Sequence, residues 1–237
     1  MSAILTLNAG SSSIKFGLFD AETLEEEAGG QVERIGGDTE LDLEIPGQPN
    51  LERRIPAANH QEAVTAILAA IEPHLGGRAV VGMGHRVVHG GPDHGAPLVL
   101  DDAAIDALTR LEPLAPLHQP HNLSAVRAAR RAFPETLQVA CFDTAFHRGH
   151  PWVQDTYGLP RRFYDAGVRR YGFHGLSYDY ISGKLAEDWP ALHEGRVVVA
   201  HLGNGASLCA MEGGRSIAST MGFSALSGLC MGTRPGQ

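Results

Sequence analysis

Polar side chains follow directly on four apolar, strand-like runs of the sequence. These clusters are Asn8 to Lys15, His85-Arg86, Asp143-Thr144 and Gly203-Asn204-Gly205. Because ligands of α/β sheets collect where strands end, four such clusters around one cleft would form a site for a polar, anionic substrate. Phosphoryl transfer uses these same groups. It needs glycine-rich backbone that can approach phosphates, amide and hydroxyl donors to hold them, arginines to offset developing charge, and a carboxylate or amide that can engage magnesium.

Each cluster also has a simpler interpretation. Residues 8–13 and 203–205 are typical of ordinary hairpin turns, because Asn and Gly favour them. Asp143 could cap a helix, Arg86 could form an ordinary ion pair, and His174 in YGFHG could be a partly buried histidine. These interpretations require five coincidences at strand ends, so the sequence favours a phosphate site. It contains no Walker loop, dinucleotide fingerprint, zinc-ligand spacing or Gly-x-Ser-x-Gly elbow.

The elements that would position these clusters are a mixture of strands and helices. A helix is predicted from Asn59, because Glu62 lies three residues on in a variant of the capping box and an apolar face follows at helical spacing. Further helices are predicted near 101–111, 121–133 and 176–188, and strands at 4–7, 14–19, 41–45, 79–81, 137–142 and 197–200. The strand at 197–200 contains only Val and Ala and is expected to be buried. This order indicates an α/β chain with a mixed sheet.

Two distant segments repeat one pattern. ILTLNAGSSSIKFGLFD (4–20) and VVVAHLGNGASLCAMEG (197–213) each contain an apolar strand, an Asn/Gly/Ser turn and a second apolar strand. The pattern predicts two similar hairpins and indicates a duplicated domain, although strand–turn–strand is common enough that the repeat is weak evidence by itself. The Pro/Gly-rich stretch around 149–160 is the best candidate for a boundary between the two copies.

Composition excludes several classes of partner. The 237-residue chain has a formal net charge of −8 and no dense Lys/Arg run, so we expect it to bind neither nucleic acid nor a membrane. An anionic ligand must then be held by a few local cations and backbone N–H groups. Three widely spaced cysteines fit no metal site or disulfide framework and predict buried thiols in a reducing compartment. Since no secretory signal or membrane-spanning run is apparent, a cytoplasmic location is expected.

A set of motifs along the chain resembles the acetate kinase family. They are LTLNAGSSSIKF, GHRVVHGG, LAPLH, FDTAFH, RRYGFHG, HLGNGASLCA and MGFSALSGLCMGTRPG, and they run from residue 4 to the C-terminus. The resemblance implies an actin-like ATPase (ribonuclease H-like) fold of two duplicated α/β domains, with a first domain at 1–149 and the first part of a second at 150–237. It implies reversible transfer of the ATP γ-phosphate to acetate, giving acetyl phosphate and ADP with Mg²⁺, in a homodimer.

The resemblance also assigns site residues by position. It implies that Arg86 and Arg234 flank acetate and the transferred phosphoryl group, that His174 donates to the phosphoryl oxygens, and that Asp143 orients the site. It places at the ATP phosphates Asn8, Ser11, Ser12, Ser13, Lys15, His201, Leu202, Gly203, Asn204 and Gly205, with Asn8 near the metal. It places around the carboxylate substrate Arg86, Val88, Leu117, Phe173 and Ala225. Because acetate is already ionised at pH 7, no general base is required.

The sequence departs from the family pattern in two respects. Ala225 replaces a proline of the methyl pocket, and the smaller side chain predicts some tolerance of propionate. Family members also continue well beyond the position of Gln237, so we expect an incomplete second domain with exposed core faces, lacking an adenosine-binding loop and a metal-binding glutamate. A propionate or other short-chain carboxylate kinase therefore stays open, as does an inactive nucleotide-binding fragment. HRVVHGG and FDTAFH favour the acetate and propionate enzymes over butyrate kinase.

Overall fold

The structure, a computed structural model, describes residues 2–232 and 234–236. Its strands are β1 (Ser2–Ala9), β2 (Ile14–Asp20), β3 (Glu26–Glu33), β4 (Glu40–Glu44), β5 (Leu51–Arg54), β6 (Ala79–Val87), β7 (Leu98–Val99), β8 (Leu137–Phe142), β9 (Arg196–Leu202), β10 (Ala206–Glu212) and β11 (Arg215–Ser219). Its α-helices are α1 (His60–Leu75), α2 (Asp102–Thr109), α3 (Gln119–Ala132), α4 (Trp152–Asp155), α5 (Arg161–Asp165), α6 (Gly175–Asp188) and α7 (Pro190–His193).

The chain packs as two compact units. The first contains the residues up to Val87 together with Leu98–Ala140, and the second contains Val88–Pro97 together with the residues from Cys141 onward. None of the helices within the described ranges is both long and apolar enough to cross a bilayer.

The large sheet is mixed, as the alternation of predicted elements indicates. Its strand order is β5-β4-β3-β2-β1-β6-β8-β7. The central strand β1 pairs antiparallel with β2 and parallel with β6. This arrangement sets the end of β1 between the start of β2 and the end of β6, so the polar residues of all three strands become neighbours.

One face of this sheet holds the core of the first unit. Alternate residues of β1, among them Leu5 and Leu7, are buried together with Ile14 and Leu18 of β2. The apolar stripes of α1 and α3 cover that face. The predicted start of α1 is confirmed, because the Asn59 side chain accepts a hydrogen bond from the Glu62 N–H at 3.0 Å.

Two strands are longer than the sequence predicts. β1 continues through Ala9, so Asn8 lies within the strand and not in the turn. β6 continues to Val87 through Gly82 and Gly84, which the sequence marks as a departure from the strand. Glycine weakens a strand but does not end one that is paired, as β6 is with β1.

The second unit is built on a smaller sheet, in the order β11-β10-β9. Helix α6 packs on one face, where Tyr178, Cys209 and Met211 form a buried cluster. The prediction that the Val/Ala strand is buried is wrong. Val198 (67% exposed) and Ala200 are exposed, and Val197 and Val199 are only half-buried against the cluster under α6. The reason is that, among the residues described, β9 is at the edge of its sheet and α6 covers one of its faces.

The cysteines differ in burial. Cys209 is buried and Cys141 is half-buried, but Cys230 is exposed, which corrects the expectation of three buried thiols. Burial raises the pKa of both the Cys209 and Cys141 thiols, so these two remain protonated at neutral pH.

Candidate functional site

The turn between β1 and β2 is held by backbone hydrogen bonds. Gly10 N–H donates to the Ser13 carbonyl oxygen at 2.7 Å, and Ile35 N–H donates to the Ser12 carbonyl at 3.0 Å. The His60 ring donates from Nε2 to the Gly10 carbonyl at 2.7 Å. These three carbonyl oxygens all accept hydrogen bonds from the protein. The side chains of Ser11 and Ser12 are exposed, and that of Ser13 is half-buried. The loop is a fixed hairpin that presents hydroxyl groups to solvent.

Polar side chains form a row across the outer face of the large sheet. Lys15 is the direct cross-strand partner of Asn8, so the two side chains lie on the same face. Arg86 on β6 donates from Nη1 to Asn8 Oδ1 at 3.2 Å. The first unit thus brings together an amide between two cations. Lys15 also borders a groove over β2–β4 of about 530 Å³, where Glu26 and Glu44 lie nearby.

Two other residues of the first unit are placed differently from this row. His85 points to the buried face, where it donates from Nε2 to Gln138 Oε1 at 2.9 Å. Burial lowers its pKa to about 4, so the ring is neutral at physiological pH. Leu117, predicted to enclose the methyl group of acetate, is 67% exposed. Neither side chain joins the polar row of Lys15, Asn8 and Arg86.

The hairpin β9–β10 has a shorter turn than the first hairpin. Leu202 pairs with Ala206, and Gly203 N–H donates to the Gly205 carbonyl oxygen at 3.1 Å. The Asn204 carbonyl accepts from Gly232 N–H at 3.2 Å, which attaches the segment around Arg234 to this turn. The prediction of two similar hairpins is confirmed.

His174 and Arg234 converge on this turn. His174 precedes α6 with a positive φ of 61°, a left-handed conformation that is costly for a residue with a side chain and that is found preferentially at functional sites. A β-carbon added to Gly205 would lie 3.3 Å from His174 Nε2 and 3.2 Å from Arg234 Nη2. Glycine therefore leaves room at the point where an imidazole nitrogen and a guanidinium group meet the turn.

The remaining predicted residues of the second unit are mostly buried. Asp143 is 3% exposed, and its carbonyl oxygen accepts from Gly175 N–H at 2.8 Å, which anchors the start of α6. Val88 and Phe173, two of the predicted carboxylate-pocket residues, are 3% and 2% exposed. Ala225 is half-buried in the loop after β11.

Three side chains that sequence reasoning missed support His174 and its neighbours. Ser207 Oγ lies 2.8 Å from His174 Nδ1, and the Tyr178 hydroxyl lies 2.5 Å from Ser207 Oγ. His147 donates from Nε2 to the Phe173 carbonyl at 3.0 Å. Burial lowers the pKa of His147 to about 3, so its ring is a neutral structural support. These residue types are ordinary in a strand, a helix and a short 3-10 turn, so their sequence positions carry no signal of this role.

The site is suited to a metal ion that binds together with an anionic ligand and takes few oxygen atoms from the protein. Within the two described ranges, no three His, Cys, Asp or Glu side chains are grouped so that they could hold a metal ion. Mg²⁺ bound with a nucleotide usually takes only one or two protein oxygens, because phosphates and water complete its shell. The Asn8 amide oxygen, oriented by Arg86, is a donor of that kind.

Comparison with known proteins identifies close relatives. The profile of the Acetokinase family matches residues 3–237. The acetate kinases of Methylocella silvestris and Nitrobacter hamburgensis are each 50% identical to the chain, over 99% and 100% of its length. Among solved structures, a propionate kinase from Francisella tularensis aligns with a TM-score of 0.92 at 34% identity, and the acetate kinase of Porphyromonas gingivalis with 0.87 at 35%. Both alignments cover 100% of the chain.

The relatives are longer than the chain. It spans 61% of the Methylocella silvestris protein, 60% of the Nitrobacter hamburgensis protein, and 62% and 61% of the two solved structures. The likeness to these structures confirms the predicted class, an α/β fold of the actin-like ATPase type.

Proposed function

Because the chain belongs to the acetokinase family, we propose that it supplies phosphoryl- and carboxylate-binding groups for reversible phosphate transfer from ATP to acetate. The observation that carries the proposal is the convergence of His174 and Arg234 on the turn at Gly205. A cation, an imidazole and a glycine-rich backbone at one point are suited to a phosphoryl group. The division into domains at 1–149 and 150–237, the homodimer and the cytoplasmic location stay predictions from the family resemblance.

The two arginines are proposed to reduce the electrostatic repulsion between the two anionic substrates. Acetate and the γ-phosphate are both anions, and two like charges about 4 Å apart repel by roughly 4 kcal/mol near a protein surface. We propose that Arg86 and Arg234 offset this repulsion, Arg86 beside Asn8 and Arg234 beside Gly205. An arginine acting on a transferring phosphoryl group can raise the rate by ~10³-fold or more.

His174 and Asp143 are proposed to assist without exchanging protons with acetate. The acetate carboxylate is ionised at neutral pH and attacks the phosphorus directly, so no base has to activate it. His174 would hydrogen-bond to a phosphoryl oxygen from Nε2, the nitrogen beside Gly205. Asp143 would act as an electrostatic and orienting partner, with its backbone already fixing the start of α6.

Mg²⁺ would accompany the nucleotide. Bound to the phosphates, it would neutralise part of their charge. Asn8 would contribute its amide oxygen, and Arg86, which donates to that oxygen, would hold the side chain in place. The Asn8 oxygen has a second lone pair for this role.

A hydroxamate assay for acetyl phosphate tests the proposal. The purified chain is incubated with ATP, Mg²⁺ and acetate, alongside Arg86→Ala and Arg234→Ala variants whose folding is checked by circular dichroism. Hydroxamate that requires both ATP and acetate, and that falls by ~10²-fold or more in each variant, supports it. Product formation that is indifferent to both arginines contradicts it, as does an absence of product combined with no acetyl phosphate-induced NMR shift at His174 or Gly205.

Propionate is the second candidate acceptor. Two observations favour it: the alanine at position 225 and the likeness to a solved propionate kinase at a TM-score of 0.92. One methylene group in an apolar pocket changes transition-state binding by only ~1–3 kcal/mol, so a single site can serve both acids. The same assay with propionate in place of acetate ranks the two substrates.

A further inference from the structure

The first residue of α1 contacts the turn between β1 and β2. The side chain of His60 is buried, and its Nε2 lies 2.7 Å from the Gly10 carbonyl oxygen. A carbonyl oxygen can only accept, so this nitrogen carries a proton and donates it. The Asn59 cap fixes the start of the helix, and the His60 ring stacks on that of His121 with centroids 4.9 Å apart. His60 is therefore a donor held in place from two sides.

The hydrogen bond from His60 decides which way one peptide group of the turn faces. A trans peptide group is planar, so the Gly10 carbonyl and the Ser11 N–H point in opposite directions. Because the carbonyl points to His60, the Ser11 N–H points away from α1. Ser11 is exposed, and within the two described ranges no group accepts from its N–H. The turn thus offers a backbone donor on the side opposite to His60.

Glycine at position 10 makes an external hold on this peptide group necessary. Glycine populates positive and negative φ about equally, so Gly10 by itself does little to prevent the following peptide group from turning over. A turned-over peptide group would present the carbonyl oxygen of Gly10 where the N–H of Ser11 now lies. It would also take the acceptor away from His60 Nε2 in a buried position, which is unfavourable. The hydrogen bond from His60 therefore stabilises the present orientation.

The neighbouring carbonyl groups of the turn are engaged by the protein as well. Asn122 of α3 donates from Nδ2 to the Ala9 carbonyl oxygen at 2.5 Å. The N–H of Ile35, which follows β3, donates to the Ser12 carbonyl oxygen at 3.0 Å. Turns in which backbone N–H groups are presented to solvent make concave sites for anions. The engagement of these carbonyl groups thus leaves the Ser11 N–H suited to a negatively charged oxygen.

We propose that His60 is a positioning residue that orients the peptide group between Gly10 and Ser11, so that the Ser11 N–H donates to a phosphate oxygen of the nucleotide. His60 itself does not touch the nucleotide and acts only through the Gly10 carbonyl. In the opposite orientation the carbonyl oxygen would face the phosphate and repel it. The identity of the anion as a nucleotide phosphate rests on the function proposed above, whereas the orientation of the peptide group does not.

The test is ¹H–¹⁵N NMR of the whole labelled chain, titrated with inorganic tripolyphosphate at fixed pH and ionic strength. This probe carries a phosphate chain without adenosine. In the wild type the Ser11 amide proton is expected to shift downfield as the probe binds. His60→Leu removes the donor and should raise the dissociation constant ~10-fold, the effect of one well-placed hydrogen bond. His60→Gln keeps an N–H donor at a similar reach and should stay within about 3-fold of the wild type.

Thr136→Val is the matched control. Thr136 Oγ1 donates to the Val80 carbonyl at 3.0 Å in the same unit, and Val80 pairs with the start of β1, at the opposite end from the turn. Its dissociation constant is expected to match that of the wild type. If His60→Leu does not fold, His60→Asn, whose amide is one methylene shorter, takes its place with the same expectation. The proposal is overturned by a wild-type Ser11 amide that ignores the probe, by wild-type affinity in the donor-less variant, or by folded His60→Gln binding as weakly as that variant.

The kinetic measurement separates this inference from the proposed function. In the hydroxamate assay, His60→Leu is expected to raise the KM for ATP by ~10-fold with little change in kcat or in the KM for acetate, because the Ser11 contact is the same before and during transfer. If the NMR result holds but no protein turns over and acetyl phosphate shifts neither His174 nor Gly205, the kinase proposal fails and the positioning role stands. If turnover occurs with the same KM for ATP in wild type and His60→Leu, the positioning role is wrong and the kinase proposal stands.

Discussion

Mild acid should destabilise the first unit through one buried histidine. His85 is 2% exposed, and burial lowers its pKa from 6.5 to about 4. The unfolded chain therefore binds a proton over a pH range in which the folded chain does not. Stability rises with pH wherever the unfolded state binds more protons. The contribution of His85 is thus fully present above its unfolded pKa and is lost as the pH falls from 6.5 towards 4.

The size of the effect depends mainly on the unfolded pKa. At about pH 5 the unfolded imidazole is nearly all protonated, whereas the folded His85 is still mostly neutral. The free energy of unfolding is then about 2 kcal/mol lower than at about pH 7.5. His85→Gln should remove this loss, because glutamine does not titrate and can still donate to Gln138 Oε1, which His85 contacts at 2.9 Å.

Urea titrations at about pH 7.5 and pH 5 measure the effect. Far-UV circular dichroism is the appropriate probe, since both tryptophans, Trp152 and Trp189, lie in the second unit. His74→Gln is the control, because His74 is a half-exposed histidine in the same unit. The reasoning is refuted if wild type and His85→Gln lose the same free energy of unfolding between the two pH values.

Three further predictions concern the cap, a glycine and the substrate pocket. Asn59→Ala removes the acceptor of the Glu62 N–H and should lower the free energy of unfolding in urea by about 1 kcal/mol, whereas Asn59→Ser should keep most of the wild-type stability. Equal stability of the Ala and Ser variants would contradict the capping role. Gly172→Ala should lower the free energy of unfolding by at least about 2 kcal/mol, because φ at this position is +71° and the new β-carbon would lie 2.5 Å from the buried ring of His147. A melting temperature equal to that of the wild type would contradict this prediction. Ala225→Pro should lower the ratio of kcat/KM for propionate over acetate, and an unchanged ratio would mean that Ala225 does not set acceptor size.

The fold was predictable where local patterns and burial agree. Asn59 with an apolar stripe behind it fixes the start of α1, and the strand at Leu137–Phe142 has the predicted bounds. The extension of β6 to Val87 was not predictable, because pairing with β1 overrides the low strand propensity of Gly82 and Gly84. The exposure of Val198 was missed for a related reason: composition reports that a strand is apolar, but not how many of its faces are covered.

The residues of the candidate site likewise fall into some that the sequence indicated and others that it did not. The role of His174 came from the family resemblance, whereas residue types and turns indicated the clusters at Asn8 and at 203–205 as candidate phosphate sites, because chemistry and glycine leave a local signature. Ser207 and Tyr178 leave none, since a serine in a strand and a tyrosine in a helix are ordinary residues. Their importance arises only when α6 and β10 pack together, which brings the Ser207 hydroxyl to His174 Nδ1 and the Tyr178 hydroxyl to Ser207.

The uncovered side of β9 has a practical consequence for handling the chain in solution. Val198 and Leu202 are 67% and 74% exposed on an edge strand, where an apolar surface and strand backbone groups are presented together. Such a surface favours self-association that grows with protein concentration and with salting-out anions such as sulfate. Light scattering against ammonium sulfate should therefore report clustering at lower salt for the wild type than for Val198→Lys, and low protein concentration is the condition of choice for the NMR and unfolding measurements.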